Sequence, residues 1–244
     1  MSSCRGYLRF EPTICSMLAT PALLLDLHYL PSIAYFSCLL PYATIRLEAH
    51  EHYQKQTYRN RCYILTSQQV DRLTVPVRKT SSKTPYRTLA IDYRQPWPDW
   101  HWRALCTAYS KAPYFEYLAA PFHAVLFERY TYLFDLNLAL LKTCLRLLQL
   151  EKHLELSSYY EKVPPSRFVD ARGSIHPRYR LSPSPYYQPI PYPQIFGHEF
   201  HPNLSILDLL FCEGPHARAI LQRSVVHHLP HQPAQLRAPI HIFY

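Results

Sequence analysis

Glycine is nearly absent: Gly6, Gly173, Gly197 and Gly214 are the only four in 244 residues. A P-loop or a G-x-G-x-x-G turn needs clustered glycines so that backbone amides can approach a phosphate closely, and both are therefore excluded. Phosphate bound by this chain must be held by side chains. The seven cysteines, at positions 4, 15, 38, 62, 106, 144 and 212, are odd in number and form no C-x-x-C pair. They indicate neither a disulfide framework nor a zinc ribbon, and the reduced thiols of a cytoplasmic protein are the expectation. No uninterrupted apolar run approaches the roughly 20 residues that span a bilayer. The stretch from Ile14 to Leu25 imitates a secretory core, but Pro21 interrupts it and Asp26 closes it, so Leu23 to Leu25 reads better as the first core strand.

Acidic residues are scarce too. Asp and Glu number 17 against 26 Lys and Arg, a formal net charge of +9 that suits anionic company: nucleic acid, a phosphorylated metabolite or a membrane surface. Hydrophobic residues at 48% supply a substantial core for a globular chain of one large domain or two small ones.

Along the chain, residues 1–20 read as a variable extension, 21–222 as the folded domain and 223–244 as a His- and Pro-rich tail expected to be disordered. The predicted class is α/β. The strand-rich first half has a Rossmann-like strand-loop-helix start, with the first helix running from a Ser32 cap to Leu40 before Pro41. A strand is expected at Arg72–Arg78, where Leu73, Val75 and Val77 alternate with other residues. From Trp100 the period becomes helical, with Leu133–Leu150 the strongest helix and its leucine stripe read as core. Between Lys162 and Pro193 dense prolines predict a long arm, which carries Asp170, Arg172, His176 and Arg178 and is a poor candidate for an inert linker. Short helices follow, one of them capped at Asn203 or Ser205 and ended by Gly214.

The stretch "EHYQKQTYRNRCYI" at 51–64 is unusually rich in donors. Read as a strand, it places Lys55, Thr57, Arg59 and Arg61 on one face, a cationic clamp for a diphosphate, with Asn60 as a neighbouring donor. The same arginines could instead pair internally with Glu48, Glu51 or Asp208. Asp208, within apolar "ILDLLF", demands a partner, and Arg59 or Arg61 is the expected one. His28 follows the first strand where α/β folds bind ligands, so it is a candidate general base or a loop-orienting group. Tyr29 is a candidate for stacking on a base or sugar, or a packed ring. Glu48, His50 and His52 share a strand face, but side chains on one short strand diverge, and no metal site is assigned. Cys62 reads as buried and inert.

Five ordered segments, "HYLPSIAYF" at 28–36, "EHYQKQTYRNRCYI" at 51–64, "LTVPV" at 73–77, "YSKAPYFEYL" at 109–118 and "NLSILDLLFCEGP" at 203–215, resemble the bacterial WbqC-like proteins from about residue 22 to 222. The resemblance implies a place in surface-polysaccharide biosynthesis and nucleotide-sugar modification. Many relatives carry a glycine in the first loop and a glycine-bearing turn before "LTVPV", where this chain has "LPSIAYF" and "TSQQVDR".

The leading expectation is a transferase that moves an acyl or aminoacyl group to an amino sugar, with His28 catalytic and Tyr29, Lys55, Arg59, Asn60 and Arg61 on an anionic small-molecule substrate. No cofactor is assigned. A non-catalytic nucleic-acid module stacking bases on Tyr53, Tyr58 and Tyr63 ranks lower, because no RRM, KH or zinc motif appears. A biosynthetic scaffold using the arm and the leucine helix is the third reading.

Overall fold

A computed structural model of the chain describes residues 21–78, 81 and 83–226. The expected extension and most of the expected tail lie outside the described residues. Four parallel strands form the central sheet in the order β5-β2-β1-β6: β1 is Ala22–Asp26, β2 Thr44–Glu48, β5 His153–Leu156 and β6 Phe168–Asp170. The run "ALLLD" explains why β1 lies inside the sheet, since a central parallel strand is buried on both faces and needs no polar alternation. Helix α1 (Ile33–Leu39) carries the chain from β1 to β2 on one side, whereas β6 pairs with β1 on the other. The sheet therefore reverses its winding between β1 and β6, and the carboxyl ends of these strands flank the place where such sheets hold ligands.

The register aligns acidic residues along that edge. Asp26 of β1 stands opposite Glu48 of β2, and Asp170 of β6 pairs with Leu24 of β1.

The expected cationic strand is not present: residues 51–60 form turns, and the strand β3 begins only at Arg61 and ends at Leu65. It pairs antiparallel with β4 (Val70–Thr74), which lies two residues before the expected start at Arg72 and stops short of Pro76. The reason is local. Gln56 adopts φ 61°, so alternation fails through this stretch and the side chains of 55–60 no longer share faces. The turn that lacks glycine before "LTVPV" is closed by Thr66, whose hydroxyl donates to the Gln69 carbonyl at 2.7 Å. In the first loop Leu30 takes φ 40°, a left-handed conformation that glycine would adopt without a side-chain penalty.

Helices α2 (Trp97–Tyr109), α3 (Phe115–Phe127) and α4 (Leu133–Leu147) make up the middle, and α5 (Ile206–Glu213) and α6 (Ala217–Ser224) close the described chain. The leucine stripe of α4 is core, with Leu140, Leu141, Cys144 and Leu145 buried. Ser32 precedes α1 as expected, yet its hydroxyl makes no cap. Asn203 supplies one from 169 residues away, its Oδ1 accepting the Ala34 amide at 3.0 Å. Ile206 N–H donates to Pro31 O and Ser205 Oγ to Leu30 O, so the leader of α5 is stitched to the loop after β1.

The proline-rich arm supplies β6 as an edge strand and then folds back across the core. Its Tyr192 hydroxyl donates to Asp208 Oδ2 at 2.6 Å and Gln194 Nε2 to the same oxygen at 2.9 Å, while Tyr109 donates to Oδ1 at 3.0 Å. Asp208 thus has neutral partners, and neither Arg59 nor Arg61 pairs with it as the sequence suggested. Burial raises its carboxyl above the ordinary value of 3.8, with the three donors opposing. Asp208→Asn replaces a two-oxygen acceptor by one oxygen and an amide that cannot accept from Tyr192 or Gln194. The expected cost is about 1–3 kcal/mol for donors left unmet, read as a lower urea midpoint with an unchanged slope. An unaltered midpoint would mean that the arm is not held by this acid.

Candidate functional site

The loop after β1 begins with His28, which is 1% exposed and lies between Tyr35 and Tyr58, ring centroids 4.9 and 5.4 Å away. Its Nε2 is 3.9 Å from Asp26 Oδ2, and its Nδ1 has no hydrogen-bond partner within the protein. Burial pushes the imidazole below its ordinary value, with the Asp26 carboxylate opposing and Arg59 assisting. The ring is therefore neutral near neutral pH, a state in which one nitrogen can accept a proton.

Beside it Arg59 is 2% exposed, a guanidinium in the interior. Its terminal nitrogen lies 2.6 Å from Glu51 Oε1 and 3.1 Å from Asp26 Oδ2, and its Nε donates to the same Glu51 oxygen at 2.8 Å. Asp26 Oδ2 also accepts the Gly173 amide at 2.9 Å, while Asp26 Oδ1 is buried without a partner. One cation cannot serve two carboxylates equally. Desolvation raises the Asp26 carboxyl, but Arg59 and the His28 and Gly173 donors outweigh it and hold the group at about 2. Glu51 is pushed up to about 7, by burial first and by the neighbouring Asp26 charge second, against the pull of Arg59.

A second guanidinium comes from the arm. Arg172 bonds Glu48 Oε2 at 3.0 Å and both oxygens of Asp170 at 2.9 Å, and it donates to the Glu161 carbonyl at 2.8 Å. It seals the carboxyl ends of β2 and β6. Gly173 follows with φ 68°, a conformation that glycine accepts readily and that turns its amide onto Asp26. His176, a few residues on, is held below its ordinary value by burial and then by the charges of Arg178, Arg59 and Arg61.

The other expected site residues are distributed as follows. Arg61 is half-buried at the start of β3, with an Nε that has no partner. Lys55 is exposed in the loop, away from any row of cations. Asn60 is buried and donates to the Val75 carbonyl at 3.0 Å, fastening the hairpin to the chain beyond it. Tyr29 is fully buried and its hydroxyl bonds His101 Nδ1 at 2.8 Å. The structure brings His28 and Arg59 together around Asp26 and gives Tyr29 and Asn60 internal partners. Cys62 is buried, and its thiol is pushed above the usual range.

Asp26 was missed by sequence reasoning, although it ends the apolar strand two residues before His28. Glu51 and Glu48 were weighed as arginine partners, and the structure gives Glu51 to Arg59 and Glu48 to Arg172. Asn137 carried no signal at all: from α4 it donates to the Arg59 carbonyl at 2.7 Å and to the Tyr86 hydroxyl at 2.6 Å. Glu48 turns into the ion network, whereas His50 and His52 are exposed. Among the described residues no group of three His, Cys, Asp or Glu side chains is placed to hold a metal ion. In the same residues no helix is long and apolar enough to cross a membrane.

Comparison with known proteins gives two findings. The model of the WbqC-like protein family matches residues 27–172 and 178–220, and its gap at 173–177 falls on the loop laid over Asp26. An uncharacterized protein of Mycobacterium tuberculosis (strain ATCC 25618 / H37Rv) is similar, 31% identical over 217 residues that cover 78% of this chain and 92% of the relative. No solved structure matches.

Proposed function

The chain belongs to the WbqC-like protein family, and from that membership and the buried site at the carboxyl edge of the sheet we propose that it is a cytoplasmic transferase acting on a nucleotide-bearing amino sugar for surface polysaccharide. The reaction is acyl or aminoacyl transfer to the sugar amine. The observation that carries this reading is a neutral, buried His28 with one unpartnered nitrogen, at the end of a central parallel strand and 3.9 Å from a carboxylate.

A sugar amine becomes a nucleophile when it gives up a proton, and in this reading His28 receives it. The amine nitrogen then bonds to the acyl carbon of an activated ester or thioester, the bond to the leaving oxygen or sulfur breaks, and His28 returns the proton to that atom. Asp26 stabilises the imidazolium that exists in between. Arg61 and Arg178 give the anionic part of the substrate a cationic border, since a guanidinium forks onto two phosphate oxygens, and the neutral His176 adds a hydrogen-bonding group beside them.

The nucleic-acid reading loses its platform, because Tyr53 and Tyr58 are buried. The scaffold reading loses the leucine face of α4 to the core and, of the arm, only the segment Phe168–Asp170 to the sheet.

Calorimetric titration with nucleoside-diphosphate sugars, pyrophosphate and single-stranded oligonucleotides tests the proposal. Sugar nucleotides are expected to bind, and Arg61→Lys to weaken them about tenfold, because the ammonium keeps the charge but loses the fork. Salt-sensitive oligonucleotide binding without any sugar-nucleotide binding would overturn it.

A further inference from the structure

The strands of the sheet run parallel, so the amino ends of β2 and β5 lie at the edge opposite Asp26 and Glu48. There His153, the first residue of β5, donates its N–H to the Ala43 carbonyl, and two adjoining hollows are both lined by Leu150, Glu151 and Lys152. One is a cavity of about 350 Å³ that adds Leu40, Gln149, Arg218 and Gln222. The other is a cleft of about 570 Å³ that adds Lys142, Leu145, Arg146, His153 and Leu154. Volumes of this order suit small molecules. Lys142, Arg146, Lys152 and Arg218 therefore face hollows whose linings hold a single carboxylate, Glu151.

Two of these cations are held in place. Lys152 Nζ donates to the carbonyls of Leu40 and Tyr42, at 2.7 Å each, and Arg218 Nη1 to the Gln149 carbonyl at 3.0 Å. These bonds close the chain after α1 and the turn after α4, which is a structural role. It leaves the third ammonium proton and the rest of the guanidinium unexplained, because neither side chain forms an ion pair with a carboxylate among the described residues. Like charges lining one cavity repel, and burial together with the Arg218 charge lowers the Lys152 ammonium from its ordinary 10.5. An anion between them relieves that repulsion.

We propose that these hollows form a second ligand site, independent of the transferase reading, for a phosphate monoester whose phosphate sits between Lys152 and Arg218 and whose organic group lies along the leucines of the cleft. A monoester dianion matches the two fixed charges, and its terminal oxygens suit the free part of the guanidinium fork. Lys142 and Arg146, four residues apart on α4 and exposed, add positive charge at the cleft, while Leu145, Leu150 and Leu154 give it an apolar lining. Glu151 opposes the ligand, and the four cations outweigh it.

Phenyl phosphate and inorganic phosphate carry the same charge and differ in the organic group, so the pair tests both halves of the site. Amide NMR shifts are followed as each is titrated into the protein at fixed pH and ionic strength. The amides of residues 149–153 and 218 are expected to move and those of residues 26–28 to stay, with phenyl phosphate bound about fivefold tighter. Arg218→Gln retains a donor for the Gln149 carbonyl and should weaken phenyl phosphate about tenfold with an unchanged urea midpoint. If that midpoint falls, Arg146→Gln on the exposed side of α4 decides: weaker binding supports the site, and unchanged binding overturns it. Equal affinity for the two phosphates would overturn the organic half of the proposal. No shifts at residues 149–153 with either probe at millimolar concentration would overturn it entirely, as would shifts confined to the carboxyl edge of the sheet.

Discussion

Arg59→Met is expected to destabilise the protein by about 3–5 kcal/mol, read from urea unfolding, which for a fold of ordinary stability removes a large share of the total. The methionine fills much the same volume, so the loss is not a cavity effect. It arises because Asp26 and Glu51 are left in the interior with no cation, and a buried charge without a partner costs far more than a pair is worth. The pH dependence separates this cause from poor packing. In the wild type Asp26 titrates at about 2, below the ordinary 3.8, so it contributes stability that is present above 3.8 and lost as pH falls toward 2. Without Arg59 the Asp26 carboxyl also rises above its unfolded value, so its sign reverses, and Glu51, already raised in the wild type, loses the guanidinium that held it down: the variant loses stability as pH rises through the raised values. The difference from wild type should therefore shrink in mild acid and widen above neutrality. A constant difference across pH would point to packing instead. Arg59→Lys should fall between, because an ammonium cannot reproduce both the Nε contact with Glu51 and the shared terminal nitrogen.

His28→Gln is expected to lower turnover of the proposed acyl transfer by about 10²- to 10⁴-fold with little change in folding, since glutamine keeps a polar group of similar reach but cannot take a proton. The measurement is a steady-state assay with the amino-sugar nucleotide that the binding titrations identify. KM should move far less than kcat. In the wild type, burial holds His28 below its ordinary value, so the rate should be flat through neutrality and fall only in acid, where the base becomes protonated. That acid limb should vanish in His28→Gln. Unchanged turnover in a folded variant would return His28 to the loop-orienting role and leave the base elsewhere. A loss of folding in this variant, with a collapsed urea midpoint, would show that its contacts with Tyr35 and Tyr58 are structural first.

Much of the fold was legible because it rests on local rules. Leu23 to Leu25 are apolar without alternation, and a strand buried on both faces is the physical consequence. Proline after Leu40 ends α1, the α4 stripe repeats at helical spacing, and few glycines exclude a phosphate-cradling backbone loop. His28, by its place at the end of the first strand, could be singled out from order alone. The same local rules misread residues 51–60, where alternation was assumed and a left-handed Gln56 broke it. They also misassigned Asp208, because nothing in "ILDLLF" announces two tyrosines and a glutamine from segments distant in sequence.

The sequence by itself determined that the chain folds as α/β around a short apolar first strand, that a histidine follows that strand, and that an unusual set of arginines lies shortly after. Only the tertiary structure decided what those arginines face. The parallel register sets Asp26 opposite Glu48 and brings β6 beside β1 from some 140 residues later, which carries Arg172 and Gly173 to the same edge. Charge pairing in an interior depends on distances of a few ångströms between segments that the chain order keeps far apart. Periodicity reports which face a residue takes, but not which residue stands across from it.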